Sequence, residues 1–337
     1  MAVYDISGNP LTNVYDVSGN LLDTVYDKDG NVISGEAYNL DNVVSYYRTE
    51  TSEVADAING LSNDWQSFVF ITDSHSADNQ QHSQDIALYL LLNTPCSMIV
   101  LNGDFCHMEF YTTEYNTYMD KLKPYRNKIY ATFGNHEAYS GGDGYDVAYE
   151  RVYLDWIYGK NEIQSTNKGR LYYYIDNISK KTRYVFINTS DGGNQTVPST
   201  QLAWLESALT LPDSTWSAVV IGHVNIDDLN GMTSLNCGNG DEVKASIATC
   251  NGNIIGYICG HQHIDDTRNV GDFQHTTLMC DMLDNRNSYS GYSLTDRVTG
   301  TTSEQAVSVI SINTTTKDVV IRRIGAGRNR TLSYNYS

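Results

Sequence analysis

Basic residues are scarce in this chain: 22 Lys and Arg stand against 40 Asp and Glu, a formal net charge of −18. Proteins that track a phosphate backbone neutralise it with Lys and Arg, so this balance disfavours nucleic acid as a partner. The acidity itself is read as a device for solubility. No apolar run approaches the ~18 consecutive residues of a membrane-spanning helix. Met1-Ala2-Val3-Tyr4-Asp5 has neither the basic nor the apolar part of a secretion signal, so a soluble chain without a signal peptide is expected. The six cysteines, Cys96, Cys106, Cys237, Cys250, Cys259 and Cys280, match no zinc-ribbon or redox spacing. Several adjoin apolar runs, where a free buried thiol is the ordinary outcome. What remains is a 337-residue chain, 40% hydrophobic, long enough to bury one large core or two modest ones.

The first residues repeat. Val3-Tyr4-Asp5-Ile6-Ser7-Gly8-Asn9 recurs as Val14-Tyr15-Asp16-Val17-Ser18-Gly19-Asn20 and as Val25-Tyr26-Asp27-Lys28-Asp29-Gly30-Asn31, with a period of eleven. Each unit reads as a short strand and a Gly-Asn turn, because both residues tolerate left-handed backbone. One such unit cannot bury a face alone, so residues 1–36 are expected to serve in attachment or self-association. Asp5, Asp16 and Asp27 are too sparsely supported by other oxygen ligands to make a calcium loop.

Residues 37–65 read as a linker with a short helix that ends at Asn59-Gly60. Apolar strand-like runs follow at 67–72, 97–102, 129–133, 183–188, 217–221 and 254–259. Helical patterns lie between several of them, at 83–92, 113–122, 147–157 and 200–209. Continuous apolar strands alternating with helices imply an α/β core whose strands are buried on both faces. A hairpin at 306–312 and 318–324 closes the unit, so residues 66–325 form the main domain and 326–337 a tail.

Five motifs fall at the ends of those strands: Asp73-Ser74-His75, Gly103-Asp104, Gly134-Asn135-His136-Glu137, Gly222-His223 and Gly260-His261-Gln262-His263. Asp73, Asp104 and Asn135 are each 31 residues apart, about one βαβ crossover, which returns the chain to the same end of the sheet. Ligands then gather at the carboxyl ends of the strands. Imidazole with carboxylate and amide suits a pair of Mn, Fe or Zn ions, divalent or trivalent, and paired metals hydrolyse phosphoesters.

The constellation resembles the calcineurin-like metallophosphoesterase family over residues 66–325. The resemblance implies a sandwich of two mixed β-sheets flanked by helices, with the metal site at the strand ends. It assigns Asp73, His75, Asp104 and His263 to a first metal. Asp104 as bridge, with Asn135, His223 and His261, goes to a second. Gln201-Leu202-Ala203-Trp204-Leu205-Glu206 resembles the helix this family carries between its third and fourth motifs. Where the family's second motif often continues to another acidic residue, this chain has His107.

The expected reaction is hydrolysis of a phosphomonoester or phosphodiester. A hydroxide bridging the two cations attacks phosphorus, and His136 assists the leaving group. Glu137 is expected to brace its loop, His82 to lie at the surface, and His275 and Cys106 to be structural. Tyr172-Tyr173-Tyr174 and the tyrosines of 289–292 read as strand packing in preference to a sugar-stacking surface. The repeats loosely resemble attachment regions of phage tail-associated and bacterial surface proteins. That likeness implies a cytoplasmic or virion-associated enzyme tethered to an assembly, with an envelope polymer as substrate. The rival reading is a structural or ligand-binding protein on a metal-binding phosphoesterase scaffold, against which the complete ligand set argues. Substrate choice is expected to lie in loops 140–170, 225–245 and 281–303.

Overall fold

The computed structural model describes residues 38–76, 82–107, 109–139, 141–164, 171–191, 195–227, 236–270, 272–278 and 297–334, with four short strands near the N-terminus. Those strands are β1 (Val3–Tyr4), β2 (Pro10–Leu11), β3 (Thr24–Tyr26) and β4 (Val32–Gly35). β1 pairs antiparallel with β2, and β3 with β4. The second repeat and the three repeat aspartates lie outside the described residues.

Helix α1 (Arg48–Asn59) buries Thr51, Val54, Ala55 and Ile58, the i, i+3, i+4, i+7 stripe of an amphipathic helix, and stops at Gly60. Two six-stranded mixed sheets follow. In the first, β5 (Trp65–Ile71), β6 (Cys96–Asn102) and β7 (Ile129–Thr132) run parallel. Helix α2 (His82–Asn93) lies between β5 and β6, and α3 (Thr112–Met119) between β6 and β7. β14 (Ala306–Asn313), β15 (Asp318–Gly325) and β16 (Arg330–Ser333) extend this sheet antiparallel from β5. Its edge strand β16 thus comes from the stretch that patterning leaves as a tail.

The second sheet has the order β12-β13-β11-β10-β9-β8. Its strands are β8 (Tyr173–Asn177), β9 (Thr182–Phe186), β10 (Ser217–Ile221), β11 (Asn253–Cys259), β12 (Asp266–Val270) and β13 (Phe273–Thr277). After β7 come α4 (Asn135–Ala138) and α5 (Tyr145–Trp156). Helix α6 (Ser199–Ala208) precedes β10, and α7 (Gly240–Ile247) precedes β11.

Strand β10 shows why its run is apolar throughout. Val219 and Ile221 join Phe68, Phe70 and Ile310 in the core between the sheets. Ala218 and Val220 join Trp204 and Leu205 of α6 and Val243 and Ile247 of α7 in a second core. Each fully buried Val, Ile or Phe contributes roughly 1.5–3 kcal/mol. Across the sandwich the rings of Phe68 and Tyr184 meet edge-on at 5.6 Å. Tyr172 and Tyr173 are buried and Tyr174 stacks under the Arg183 guanidinium at 3.8 Å, so this tyrosine run is packing. Residues 289–292 lie outside the described residues. Among the described residues, no helix is long and apolar enough to cross a membrane.

Candidate metal centre

Asp73 and His75 follow β5, Asp104 follows β6, and Asn135 opens α4 after β7. His223 follows β10, and His261 and His263 follow β11. Because β5, β6 and β7 are parallel, as are β10 and β11, these exits share one end of the sandwich. The backbone there is bent hard. Asp73, His75, Asp104, His261 and His263 all have positive φ, between 41° and 68°. That region costs an L-residue roughly 1–2 kcal/mol, and such strain concentrates at functional sites. Contacts from distant segments hold it: the His261 N–H donates to both Asp73 carboxylate oxygens at 3.0 and 2.9 Å, and the Asp73 N–H donates to Gly103 O at 3.2 Å. Gly260 and Gly134 permit the close approach, since a Cβ at Gly260 would fall on Thr72 and Asp73, and one at Gly134 on Asp104.

The ligand-type atoms converge. His263 Nε2 lies 3.2 Å from His75 Nε2 and 3.3 Å from Asp73 Oδ1. His223 Nε2 lies 3.1 Å from Asp104 Oδ2 and 3.2 Å from Asn135 Oδ1. His75 Nε2 is 3.6 Å from Asp104 Oδ2. Three triads each have ligand atoms within 4.8 Å of one another: Asp73, His75 and His263; His75, Asp104 and His136; Asp104, His223 and His261. His75 and Asp104 each belong to two of them, and Asp104 is the one that is a carboxylate, able to offer an oxygen to each side.

Each side chain is oriented from behind. The His223 Nδ1–H donates to Asn102 O at 2.6 Å, and the His75 Nδ1–H faces the carbonyls of Cys106 and His107, both at 3.2 Å. A carbonyl can only accept, so Nδ1 carries a proton in both rings and Nε2 is the nitrogen turned inward. Thr72 Oγ1–H donates to Asp73 Oδ2 at 2.5 Å.

Electrostatics agree. Burial pushes His75 down to about 4. Burial, reinforced by His223, pushes His261 down to about 3, so both imidazoles are neutral. Burial alone would raise the two carboxyls, but His223 with His263 holds Asp73, and His223 with His136 holds Asp104, well below the usual carboxylate range. Burial likewise opposes a charge on His223, yet Asp104 and Asp73 push it up to about 9. Two ionised carboxylates packed with the neutral imidazoles of His75 and His261, and with a proton on His223 that a cation would displace, form a donor set suited to cations. His261 supplies the sharpest test of fit. Its Nε2 is buried and finds no hydrogen-bond partner among the described residues. An orphaned acceptor of that kind costs about 1–3 kcal/mol unless a cation meets its lone pair.

All seven candidate ligands and His136 therefore lie in one cluster. His136 sits at its mouth: its side chain is 17% exposed, whereas those of His75 and Asp104 are 2% and 1% exposed. Glu137 points away from the cluster's centre and accepts the backbone N–H groups of Asp104, Phe105 and Gly134, which ties two ligand loops together. His107 contributes only its carbonyl and backbone N–H among the described contacts. Cys106 and His275 are buried in packing, and His82 is half-buried at the start of α2. Sequence reasoning missed Tyr139, whose hydroxyl takes the Asn135 amide proton at 2.9 Å. Its one signal was the i, i+4 spacing from Asn135. Of the loops expected to select substrate, residues 140, 165–170, 228–235 and 281–296 lie outside the described residues.

Among solved structures, a dimetal phosphatase from Danio rerio matches with a TM-score of 0.59 and 14% identity, over 80% of this chain and 99% of that one. GAP50, the anchor in the inner membrane complex of Plasmodium, matches at 0.50 and 14%, over 81% and 89%. A purple acid phosphatase from yellow lupin (Lupinus luteus) seeds matches at 0.50 and 12%, over 81% of this chain and 54% of that one. At these identities the likeness is one of fold. No curated protein matches the sequence. The sequence profile of the calcineurin-like phosphoesterases does match, over residues 66–265. That match takes in all five motifs and more than half of the chain, which therefore belongs to the calcineurin-like phosphoesterase family and is a metal-dependent phosphoesterase.

Proposed function

We propose that the chain hydrolyses a phosphomonoester or phosphodiester at a dinuclear centre. Asp73, His75, Asp104 and His263 hold one ion, and Asp104, Asn135, His223 and His261 the other, as Mn, Fe or Zn. The observation that carries this reading is the shared Asp104, whose Oδ2 lies 3.6 Å from His75 Nε2 of the first set and 3.1 Å from His223 Nε2 of the second. When bound, the ions supply Lewis-acid charge for the phosphoryl oxygens and a nucleophile from water at neutral pH. The protein's own part is orientation and proton handling. Asn135 adds a neutral donor, which keeps the negative charge at the second ion low. His136, partly open to solvent beside Asp104, delivers a proton to the leaving oxygen.

Hydrolysis of para-nitrophenyl phosphate and bis-para-nitrophenyl phosphate with Mn²⁺, Zn²⁺ or chelator tests this. Turnover is expected with metal only, lost in Asn135→Ala and reduced about 10²–10⁴-fold in His136→Ala. Metal-bound protein with no turnover of either ester, or of polymeric diesters, would favour the second reading. That reading is a structural or ligand-binding protein on the same scaffold, and the fold it shares with GAP50, an anchor, supports it. The repeats of residues 1–36 support a tethered enzyme acting on an envelope polymer. Gel filtration of the full chain beside a chain starting at Leu61 tests self-association, and two monomers would remove it.

A further inference from the structure

Asn135 has a problem that the carboxylate and imidazole ligands do not share. Its amide has one oxygen and one NH₂ of nearly the same shape, and only the oxygen can ligate a cation. Asn135 is buried, 4% exposed, so water does not arbitrate. The backbone resolves the ambiguity one helical turn later. α4 runs Asn135–Ala138 and ends on Tyr139, so residue i+4 returns over residue i. Tyr139 Oη then lies 2.9 Å from Asn135 Nδ2 and accepts its proton. Asn135 Oδ1 is thereby turned inward, 3.2 Å from His223 Nε2.

The same residue flanks His136. The Tyr139 and His136 rings lie 4.9 Å apart, centroid to centroid, and the His75 ring packs on His136 at 4.5 Å. His136 is thus held between a ligand imidazole and the ring of Tyr139, a residue 41% exposed at the mouth of the site.

We infer that Tyr139 is a positioning residue with two separable duties: its hydroxyl sets the Asn135 amide oxygen toward the second metal, and its ring holds His136 against the leaving group. This rests on the dinuclear reading above. Removing an outer hydrogen-bond partner of a metal ligand typically costs ten- to a hundredfold in metal affinity.

Mn²⁺ binding to the chelator-stripped full chain, followed by calorimetry and by electron paramagnetic resonance of the paired ions, tests the first duty. Tyr139→Phe keeps the ring and removes the hydroxyl. It is expected to weaken the second Mn²⁺ about ten- to a hundredfold, leave the first unchanged, and lose the paired-ion signal at two equivalents. Asn135→Asp supplies the control, because both ends of a carboxylate are oxygens and no orientation is needed. In that background Tyr139→Phe should cost nothing further. The second duty is read in turnover at saturating Mn²⁺. Tyr139→Phe, which keeps the ring, is expected to lower kcat less than Tyr139→Ala, which lowers kcat with KM unchanged. Equal Mn²⁺ binding by wild type and Tyr139→Phe, or the same loss with Asp at position 135, would overturn the orienting role. Unchanged kcat in Tyr139→Ala would overturn the second. A wild-type chain that takes up no Mn²⁺, Zn²⁺ or Fe would instead sink the dinuclear reading itself.

Discussion

The Glu137 carboxylate grips the loop of Asp104 from behind. Oε2 accepts the Asp104 N–H at 2.8 Å and the Gly134 N–H at 3.0 Å, while Oε1 accepts the Phe105 N–H at 2.6 Å. The group is fully buried, so no water can replace it. Glu137→Gln keeps the shape but turns an amide NH₂ toward at least one backbone N–H. Leaving a buried donor unsatisfied costs about 1–3 kcal/mol, so the variant should melt several degrees lower and bind Mn²⁺ less tightly. A wild-type melting curve would show that this brace is dispensable.

Metal removal should destabilise the fold measurably. The ligand loops hold two carboxylates and four imidazoles together, and ions that bind only the folded chain stabilise it by mass action, ~4 kcal/mol at a thousand times Kd. The melting temperature should fall with chelator and recover when Mn²⁺ is restored. Equal melting with and without metal would show that the loops do not need the ions.

Asp265, two residues beyond His263, is clamped by the last strand. Its carboxylate accepts the Arg328 N–H at 2.7 Å and pairs with the Arg330 guanidinium, and the Arg328 side chain donates to Asp265 O at 2.6 Å. Asp265 is fully buried and the Arg330 side chain is 11% exposed. Breaking one partner of such a pair costs about 3–5 kcal/mol, because the other charge is left buried. Arg330→Ala should therefore lower both the melting temperature and Mn²⁺ affinity, whereas Arg322→Ala nearby on β15 should not touch the metal. Equal metal affinity in both variants would refute a link between β16 and the ligand loop.

Gly260→Ala should abolish Mn²⁺ binding. The added methyl would fall on Thr72 and Asp73, where both neighbours are held in place by hydrogen bonds. Overpacking of this kind costs about 1–3 kcal/mol in the fold and displaces a ligand carboxylate outright. Full retention of binding would show that the Thr72–Asp73 corner yields.

His275 gives the pH dependence a defined limb. It is buried, its Nε2 accepts the Ile226 N–H at 3.3 Å, and burial pushes it down to about 4 from an ordinary 6.5. A histidine depressed in the fold contributes stability that is complete above about 6.5 and is lost as pH falls toward 4, since the unfolded chain takes the proton first. The difference is worth about 3 kcal/mol at most. In His275→Gln, whose amide oxygen can accept the same N–H, stability should fall less steeply between pH 6.5 and 4. An unchanged slope would assign that limb to other groups.

Much of this was legible in the chain. The 31-residue spacing of Asp73, Asp104 and Asn135 foretold three parallel strands releasing ligands at one end, and β5, β6 and β7 do so. Periodicity also located α2, α3, α5 and α6 to within a few residues, and the Asn59-Gly60 pair located the end of α1. Helix α7 and strands β12 and β16 were not legible. They are short and partly polar, and β16 (Arg330–Ser333) depends, beyond its hairpin ladder to β15, on Asp265, 65 residues away from Arg330.

By itself the sequence determined which chemistry is available. Ligand-type side chains stand at strand exits, in four of the five motifs directly after a glycine, and these are local properties of short motifs. Only the tertiary structure decided how those side chains meet. His263 faces His75 across 188 residues, and the His261 N–H finds the Asp73 carboxylate across the same separation. Left-handed backbone at five ligands is unfavourable in an isolated segment. It persists here because two packed sheets, the Glu137 brace and the Asp265 clamp constrain each loop from a different part of the chain.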